Sequence, residues 1–169
     1  MNNKVYPCLW FDGNGKQAAE LYCEVFTGGN ILADTGLVQL FEIAGKKFMA
    51  LNGGPHFKIN PSISFFLPCQ SKEELDEKWK KLSEGGMVMM PLNKYPWSEY
   101  YGWCQDRFGV NWQLMMGGTM GEESIVPCLM FTGEKSGKAE EAIERYISVF
   151  KNASVKVLHR YEENDPDVT

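Results

Sequence analysis

Residues that could act as nucleophiles or metal ligands are few and widely spaced in this chain. Its five cysteines form no CxxC pair, and its two histidines are His56 and His159. A reactive cysteine needs a neighbouring base and a lowered pKa, and no histidine lies close in sequence to Cys8 or Cys128. We therefore interpret the cysteines as reduced thiols of a cytoplasmic protein. His56 lies in a Gly-Pro loop and remains a candidate for the mouth of a pocket.

Aromatic residues form the second pattern of possible functional importance, because they could bind a flat or apolar small molecule. In a strand, side chains alternate between two faces, so Leu9 and Phe11 would pack under helices while their neighbours face a concave cleft. An aromatic cleft with few polar groups suits an apolar ligand, although the same aromatics could be core or dimer contacts. The residues expected in the cleft are the aromatic Tyr6, Trp10, Trp97, Tyr101 and Trp103, together with Cys8 of the first strand.

Composition restricts the class of protein. The chain has 169 residues, of which 44% are hydrophobic and 23% are charged, so it is a globular protein and not a disordered one. The net charge of -5 argues against binding to nucleic acid or to an anionic membrane. No apolar run reaches the ~20 residues that a membrane span needs, and the first residues do not resemble a signal peptide.

An internal repeat organises the chain. Residues 5–13 read VYPCLWFDG and residues 125–133 read IVPCLMFTG, and a helical pattern follows each copy. The repeat predicts a complete module over residues 1–118, a linker over 119–124, and the start of a second module over 125–169. Because a β-α-β piece cannot bury both faces of a sheet, we favour a fragment of a longer two-module protein. The alternative is that the partial module docks on another surface.

Hydrophobic periodicity predicts the order β-α-β-β-β twice in the first 118 residues. Strands are predicted at 5–11, 31–34, 37–43, 47–51, 62–67, 87–90, 100–105 and 111–115. The first helix is expected to follow Asn14 as its cap, and Ser71 with Glu74 forms a capping box for the second. The partial unit is predicted as a strand at 125–131, a helix at 138–150 and a strand at 153–161. Helices on one face of a mixed sheet give an α+β fold.

Several sequence motifs resemble those of one family. The stretches PCLWFDG, FMALNGGP, ISFF and YGWCQDRFGVNWQLM are similar to the PhnB-like group of the vicinal oxygen chelate superfamily, which has the glyoxalase/bleomycin-resistance fold. The resemblance covers residues 4–116 and, as a second copy, 125–161. It implies paired βαβββ units with a concave cleft, plus a partial third unit. The group is often labelled 3-demethylubiquinone-9 3-methyltransferase-like, but this sequence has no methyl-donor motif. The stretch 30–37 is short for the family, which implies a more open pocket.

The resemblance also indicates where a metal would be held. Superfamily enzymes hold a metal with His and Glu side chains on three strands, and these positions fall at Tyr6, Ser62 and Gln113. Tyrosine, serine and glutamine are poor ligands for a catalytic divalent metal, so we expect no metal and no cofactor. A shift of one residue on the first strand does not restore a His/Glu set. Ser62 and Gln113 instead become candidate ligand-binding residues.

Three functions remain open. We expect a metal-free small-molecule-binding protein of the PhnB-like glyoxalase fold. The alternatives are an enzyme of unknown substrate that uses Gln113, Tyr6 or His56, and a structural or regulatory dimerising module. A homodimer is expected because the strand and helix of residues 125–161 carry apolar faces that are costly to leave in water.

Overall fold

The computed structural model describes residues 5–117, 125–158 and 160. The chain divides into two compact units, the first ending at Leu129 and the second beginning at Met130.

Two βαβββ units build the first compact unit, as the sequence predicts. The first comprises β1 (Cys8–Phe11), α1 (Gly15–Val25), β2 (Asn30–Asp34), β3 (Val38–Ile43) and β4 (Lys46–Asn52). The second comprises β5 (Ile63–Cys69), α2 (Lys72–Ser83), β6 (Met87–Tyr95), β7 (Ser98–Gln105) and β8 (Asn111–Met116). The paired units confirm the predicted α+β fold.

The strands form two mixed sheets. In the four-stranded sheet the order is β1-β4-β3-β2, and in the five-stranded sheet it is β6-β7-β8-β5-β9, where β9 is Val126–Leu129. The pairs β1–β4 and β5–β8 are parallel, whereas all the other pairs are antiparallel. Strand β9, which begins the second copy of the repeat, is therefore an added edge strand beside β5.

Helix α1 begins where predicted, but its start is stabilised differently. Asn14 is the N-cap residue, yet its side chain makes no capping hydrogen bond. The Gly15 amide instead donates to Asn52 Oδ1 at 2.9 Å, from the end of β4. A Cβ at residue 15 would lie 2.8 Å from that oxygen, so glycine permits the helix to approach the sheet this closely. The face predicted to be apolar, which includes Ala18 and Tyr22, is buried.

Helix α2 follows the sequence pattern closely. Ser71 Oγ accepts a hydrogen bond from the Glu74 amide at 3.1 Å, and Glu74 Oε2 accepts from the Gln70 amide at 2.8 Å. Leu75 is fully buried, whereas Trp79 is partly buried against the core. The cap fixes where the helix starts, and the apolar stripe fixes which face it turns to the five-stranded sheet.

One aromatic core joins the two sheets. The rings of Phe41 and Phe48 stack at 5.5 Å, and Phe48 contacts Phe65 of the other sheet at 5.3 Å. Phe65 in turn packs against Trp112 at 5.3 Å. Because these contacts run continuously across the unit, they set the positions of β4 and β5 relative to each other.

A buried carboxyl group crosses the same core. Asp106 accepts hydrogen bonds from the Tyr22 hydroxyl and the Trp112 indole at 2.8 Å each, and from the amides of Phe108 and Val110. Burial raises the pKa of Asp106, against the lowering effect of these four donors. The carboxyl thus ties α1 to β8 and to the turn before it.

The second compact unit contains helix α3 (Ala139–Val149), close to the predicted 138–150. The strand predicted at 153–161 is wrong where it can be checked, because residues 153–158 and 160 are not in a strand. Segment 151–158 and residue 160 are exposed. An alternating pattern forms a strand only where a neighbouring strand pairs with it, and this segment pairs with no described strand. His159 and Tyr161 lie outside the described residues.

Among the described helices, none is long and apolar enough to cross a bilayer.

Candidate functional site

A cleft of about 440 Å³ lies along β1 in the first compact unit. Its walls come from β1 and the residues before it, from the segment that leads into β5, and from β9. The lining residues used below are Tyr6, Cys8, Trp10, Phe57, Lys58, Asn60, Ser62, Ile63, Pro127 and Leu129. Most of these side chains are apolar or aromatic, which is typical of small-molecule sites.

Alternation along β1 turns two predicted residues towards this cleft. Leu9 and Phe11 are 6% and 3% exposed in the core, and Cys8 and Trp10 lie on the opposite face. The Trp10 indole donates to the Gly54 carbonyl at 2.8 Å, and its ring meets Phe57 edge-on at 5.1 Å. A Cβ at Gly53 would collide with the Trp10 ring, so the glycine loop allows the indole to lie against the backbone. Trp10 is thereby held as a fixed wall.

The polar groups of the cleft are few. Ser62 donates from its amide and its hydroxyl to Asn60 Oδ1, at 2.9 and 2.5 Å. Tyr6 is 38% exposed, and Lys58 is also exposed. Partial burial raises the pKa of Cys8, so this thiol is not activated as a nucleophile. The cleft offers hydrogen-bond donors beside apolar walls.

A second group of predicted residues lies on the five-stranded sheet. The Tyr101 hydroxyl donates to Gln113 Oε1 at 2.7 Å, and Gln113 Nε2 donates to Ser64 Oγ at 2.7 Å. Burial raises the pKa of Tyr101 well above its usual range. Trp97 packs 6.2 Å from the Tyr101 ring, at the hairpin between β6 and β7. The indole nitrogen of Trp103 is buried with no hydrogen-bond partner among the described residues.

The candidate ligand-binding residues therefore divide between two places. The cleft includes Tyr6, Cys8, Trp10 and Ser62, whereas the other sheet surface includes Trp97, Tyr101, Trp103 and Gln113. His56 is exposed and does not line the cleft, although its neighbour Phe57 does.

Sequence reasoning did not select several residues of the cleft. Phe57 lies in a loop without periodicity, so no pattern indicated its direction. Pro127 and Leu129 repeat Pro7 and Leu9, but the repeat does not indicate the pairing of β9 with β5 that brings them beside the cleft. Ile63 of β5 is 48% exposed. Alternation along the strand could have indicated that its side chain lies on the face opposite to that of its neighbours.

The three positions that the resemblance assigned to metal ligands are Tyr6, Ser62 and Gln113, and no hydrogen bond links any two of them among the described residues. Ser62 precedes β5 and bonds to Asn60, whereas the serine that bonds to Gln113 is Ser64. All of these side chains are neutral, and a catalytic divalent metal prefers imidazole, carboxylate or thiolate donors. Among residues 5–117, 125–158 and 160, no group of three His, Cys, Asp or Glu side chains could hold a metal ion.

Two mixed sheets built from βαβββ units define a protein of the glyoxalase fold, in the vicinal oxygen chelate superfamily. The family model of 3-demethylubiquinone-9 3-methyltransferase matches residues 3–115 and 123–169. The chain therefore belongs to that family. No curated protein matches the sequence.

Solved structures are similar to about two thirds of the chain. A PhnB protein of Bacillus cereus is 29% identical, over 68% of this chain and 100% of its own, with a TM-score of 0.64. A protein of Pseudomonas aeruginosa is 28% identical, over 67% of this chain and 96% of its own, with a TM-score of 0.57. A fosfomycin resistance protein of Listeria monocytogenes is 15% identical, over 70% of this chain and 94% of its own, with a TM-score of 0.53, and shows the fold alone.

Proposed function

We propose that this protein binds a small apolar molecule in the cleft along β1 and does so without a metal. The observation that carries the proposal is the cleft of about 440 Å³, walled by Trp10, Phe57 and Ile63. Drug-sized ligands occupy pockets of this order of volume, and aromatic walls contribute most of the contact area. Trp10 is already fixed by its bond to Gly54, so little ordering is needed on binding.

An enzymatic role has less support from the same residues. General acid–base or nucleophilic catalysis needs groups with suitable pKa values within reach of each other. The raised pKa of Cys8 disfavours its thiolate, and Ser62 is engaged with Asn60. Gln113, a candidate in the enzymatic interpretation, is bonded within the other sheet surface. The cleft side chains that the structure describes thus give no support for the methyl transfer that the family's name describes.

The proposal is tested with N-phenylnaphthylamine, a neutral probe whose fluorescence rises in apolar sites. We expect saturable binding by the wild-type protein. Phe57→Ala should weaken binding about three- to tenfold, because it removes one aromatic wall. Phe57 is 67% exposed, so this change should leave the fold intact.

Leu37→Ala is the matched control. Leu37 is 59% exposed but does not line the cleft, so its removal should leave the probe affinity unchanged. Absence of saturable binding, or equal weakening by the two variants, would contradict the proposal.

We also propose that the protein is a cytoplasmic homodimer. Five free thiols suit a reducing compartment. Helix α3 and its C-cap residue Phe150 expose apolar side chains by 39 to 57%, the helical ones being Tyr146, Ile147 and Val149. Contiguous apolar exposure on this scale favours association with a partner. If the protein dimerises but the cleft binds no probe, the dimerising-module function gains support instead.

A further inference from the structure

Charge is distributed unevenly around the cleft. The whole chain carries a net charge of -5. Among the described residues that line the cleft, however, Lys58 alone carries a charge, and it is positive. Lys58 makes no hydrogen bond or ion pair with any described residue, and it is exposed. An unpaired ammonium group beside an apolar wall is therefore available to a ligand.

The uncharged polar groups of the cleft reinforce this bias. Asn60 Oδ1 already accepts two hydrogen bonds from Ser62, which leaves the Asn60 amide NH2 as its free function. The Tyr6 hydroxyl has no partner among the described residues and can also donate. The polar part of the cleft thus presents donors, while the side-chain oxygen of Asn60 is occupied. Such a site suits a group rich in acceptor oxygens.

We infer that the ligand is an apolar acid, with an aromatic or aliphatic body and one anionic oxygen-bearing group. The body lies against Trp10, Phe57 and Ile63, and the anionic group lies beside Lys58. This inference rests on the proposed small-molecule function and adds the chemical class of the ligand. It also explains how an acidic protein retains an anion, because the local charge and not the net charge acts at short range.

A matched pair of probes tests the inference. Anilinonaphthalene sulfonate carries the same rings as N-phenylnaphthylamine and adds one sulfonate group. We expect Lys58→Gln to weaken the sulfonate probe about three- to fivefold, as for one exposed charge pair, and to leave the neutral probe unchanged. Lys58→Glu should weaken the sulfonate probe further. Raising the salt concentration should reduce binding of the sulfonate probe only.

Lys80→Gln is the control for net charge, since Lys80 is exposed on α2 and does not line the cleft. It should not change the affinity of either probe. If both probes bind and Lys58→Gln affects neither or affects both equally, the acid inference is wrong while the small-molecule function stands. If neither probe binds in the cleft, the function and the inference fail together. Phe57→Ala shows whether the sulfonate probe occupies the cleft or other apolar surface.

Discussion

Asp34, the last residue of β2, is an exposed carboxylate with three favourable neighbours. Its Oδ1 accepts hydrogen bonds from Gln39 Nε2 and from the Gly36 amide, both at 2.8 Å. Lys16 of α1 lies 3.1 Å from Oδ2. The hydrogen bond from Gln39, followed by those from Gly36 and Lys16, lowers the pKa of Asp34 from its ordinary 3.8 to about 2. The ionised group thus holds the hairpin between β2 and β3 against the start of α1.

This shift predicts how stability depends on pH. A carboxyl group with a lowered pKa stabilises the fold above its unfolded pKa, and the contribution is lost as the pH falls through its folded pKa. The wild-type protein should therefore lose stability relative to Asp34→Asn between about pH 4 and pH 2. Urea midpoints measured across this range report the difference. In contrast to Asp34→Asn, Asp12→Asn should keep the wild-type pH dependence, because exposed Asp12 makes no bond to any described residue. Parallel profiles for the wild type and Asp34→Asn would refute the assignment.

At the same scale, alternation predicted some residues of the cleft and could not predict others. Cys8 and Trp10 were identified because a strand turns every second side chain to the same face. Phe57 was not, because its segment has no period. Trp103 and Gln113 lie on β7 and β8 and do not line the cleft along β1. Alternation assigns a side chain to one face of its strand, but it does not tell where a cleft lies. The position of the cleft depends on how the two sheets pack together, as in the contact of Phe48 with Phe65, which are distant in the chain.

Helices and strands of the first compact unit were predictable because each one carries its own local signal. Helix α2 has a cap at Ser71 and an apolar stripe through Leu75 and Leu82, and both features recur in the structure. Strand β9 shows the limit of such signals. Its type was predicted, but its pairing with β5, in the register Ser64 with Cys128, is a long-range contact that local patterns do not encode.

Leu75 tests the orientation of α2. It is 0% exposed, so Leu75→Ala should lower the free energy of unfolding by about 2–5 kcal/mol through lost burial and a residual cavity. Urea unfolding followed by tryptophan fluorescence measures the change, with an unaltered dependence on urea as the sign of an intact two-state transition. Glu77→Ala, at an exposed position of the same helix, should change stability by less than about 0.5 kcal/mol. Equal effects of the two substitutions would show that the helix is turned differently.

At the scale of the whole molecule, the repeat places equivalent residues in different surroundings. Tyr22, Val25 and Phe26 of the first copy are buried in the aromatic core. Their counterparts in the second copy are Tyr146, Val149 and Phe150, which are 47 to 57% exposed. The same apolar pattern thus has a partner in the first copy only, among the residues that the structure describes. An apolar face of this kind gains free energy when another surface removes it from water.

A second copy of the chain is the partner that we expect for this face. Sedimentation should then give a mass of about twice 19.2 kDa. Val149→Glu places a charge on the exposed apolar face of α3 and should shift the protein towards the monomer, since an unpaired charge is costly in an apolar contact. Ser148→Glu adds the same charge one residue earlier, at an exposed polar position, and should leave the mass unchanged. A wild-type protein that sediments as a monomer at all concentrations would exclude the homodimer, and dissociation by both variants would locate the effect in net charge instead of in the apolar face.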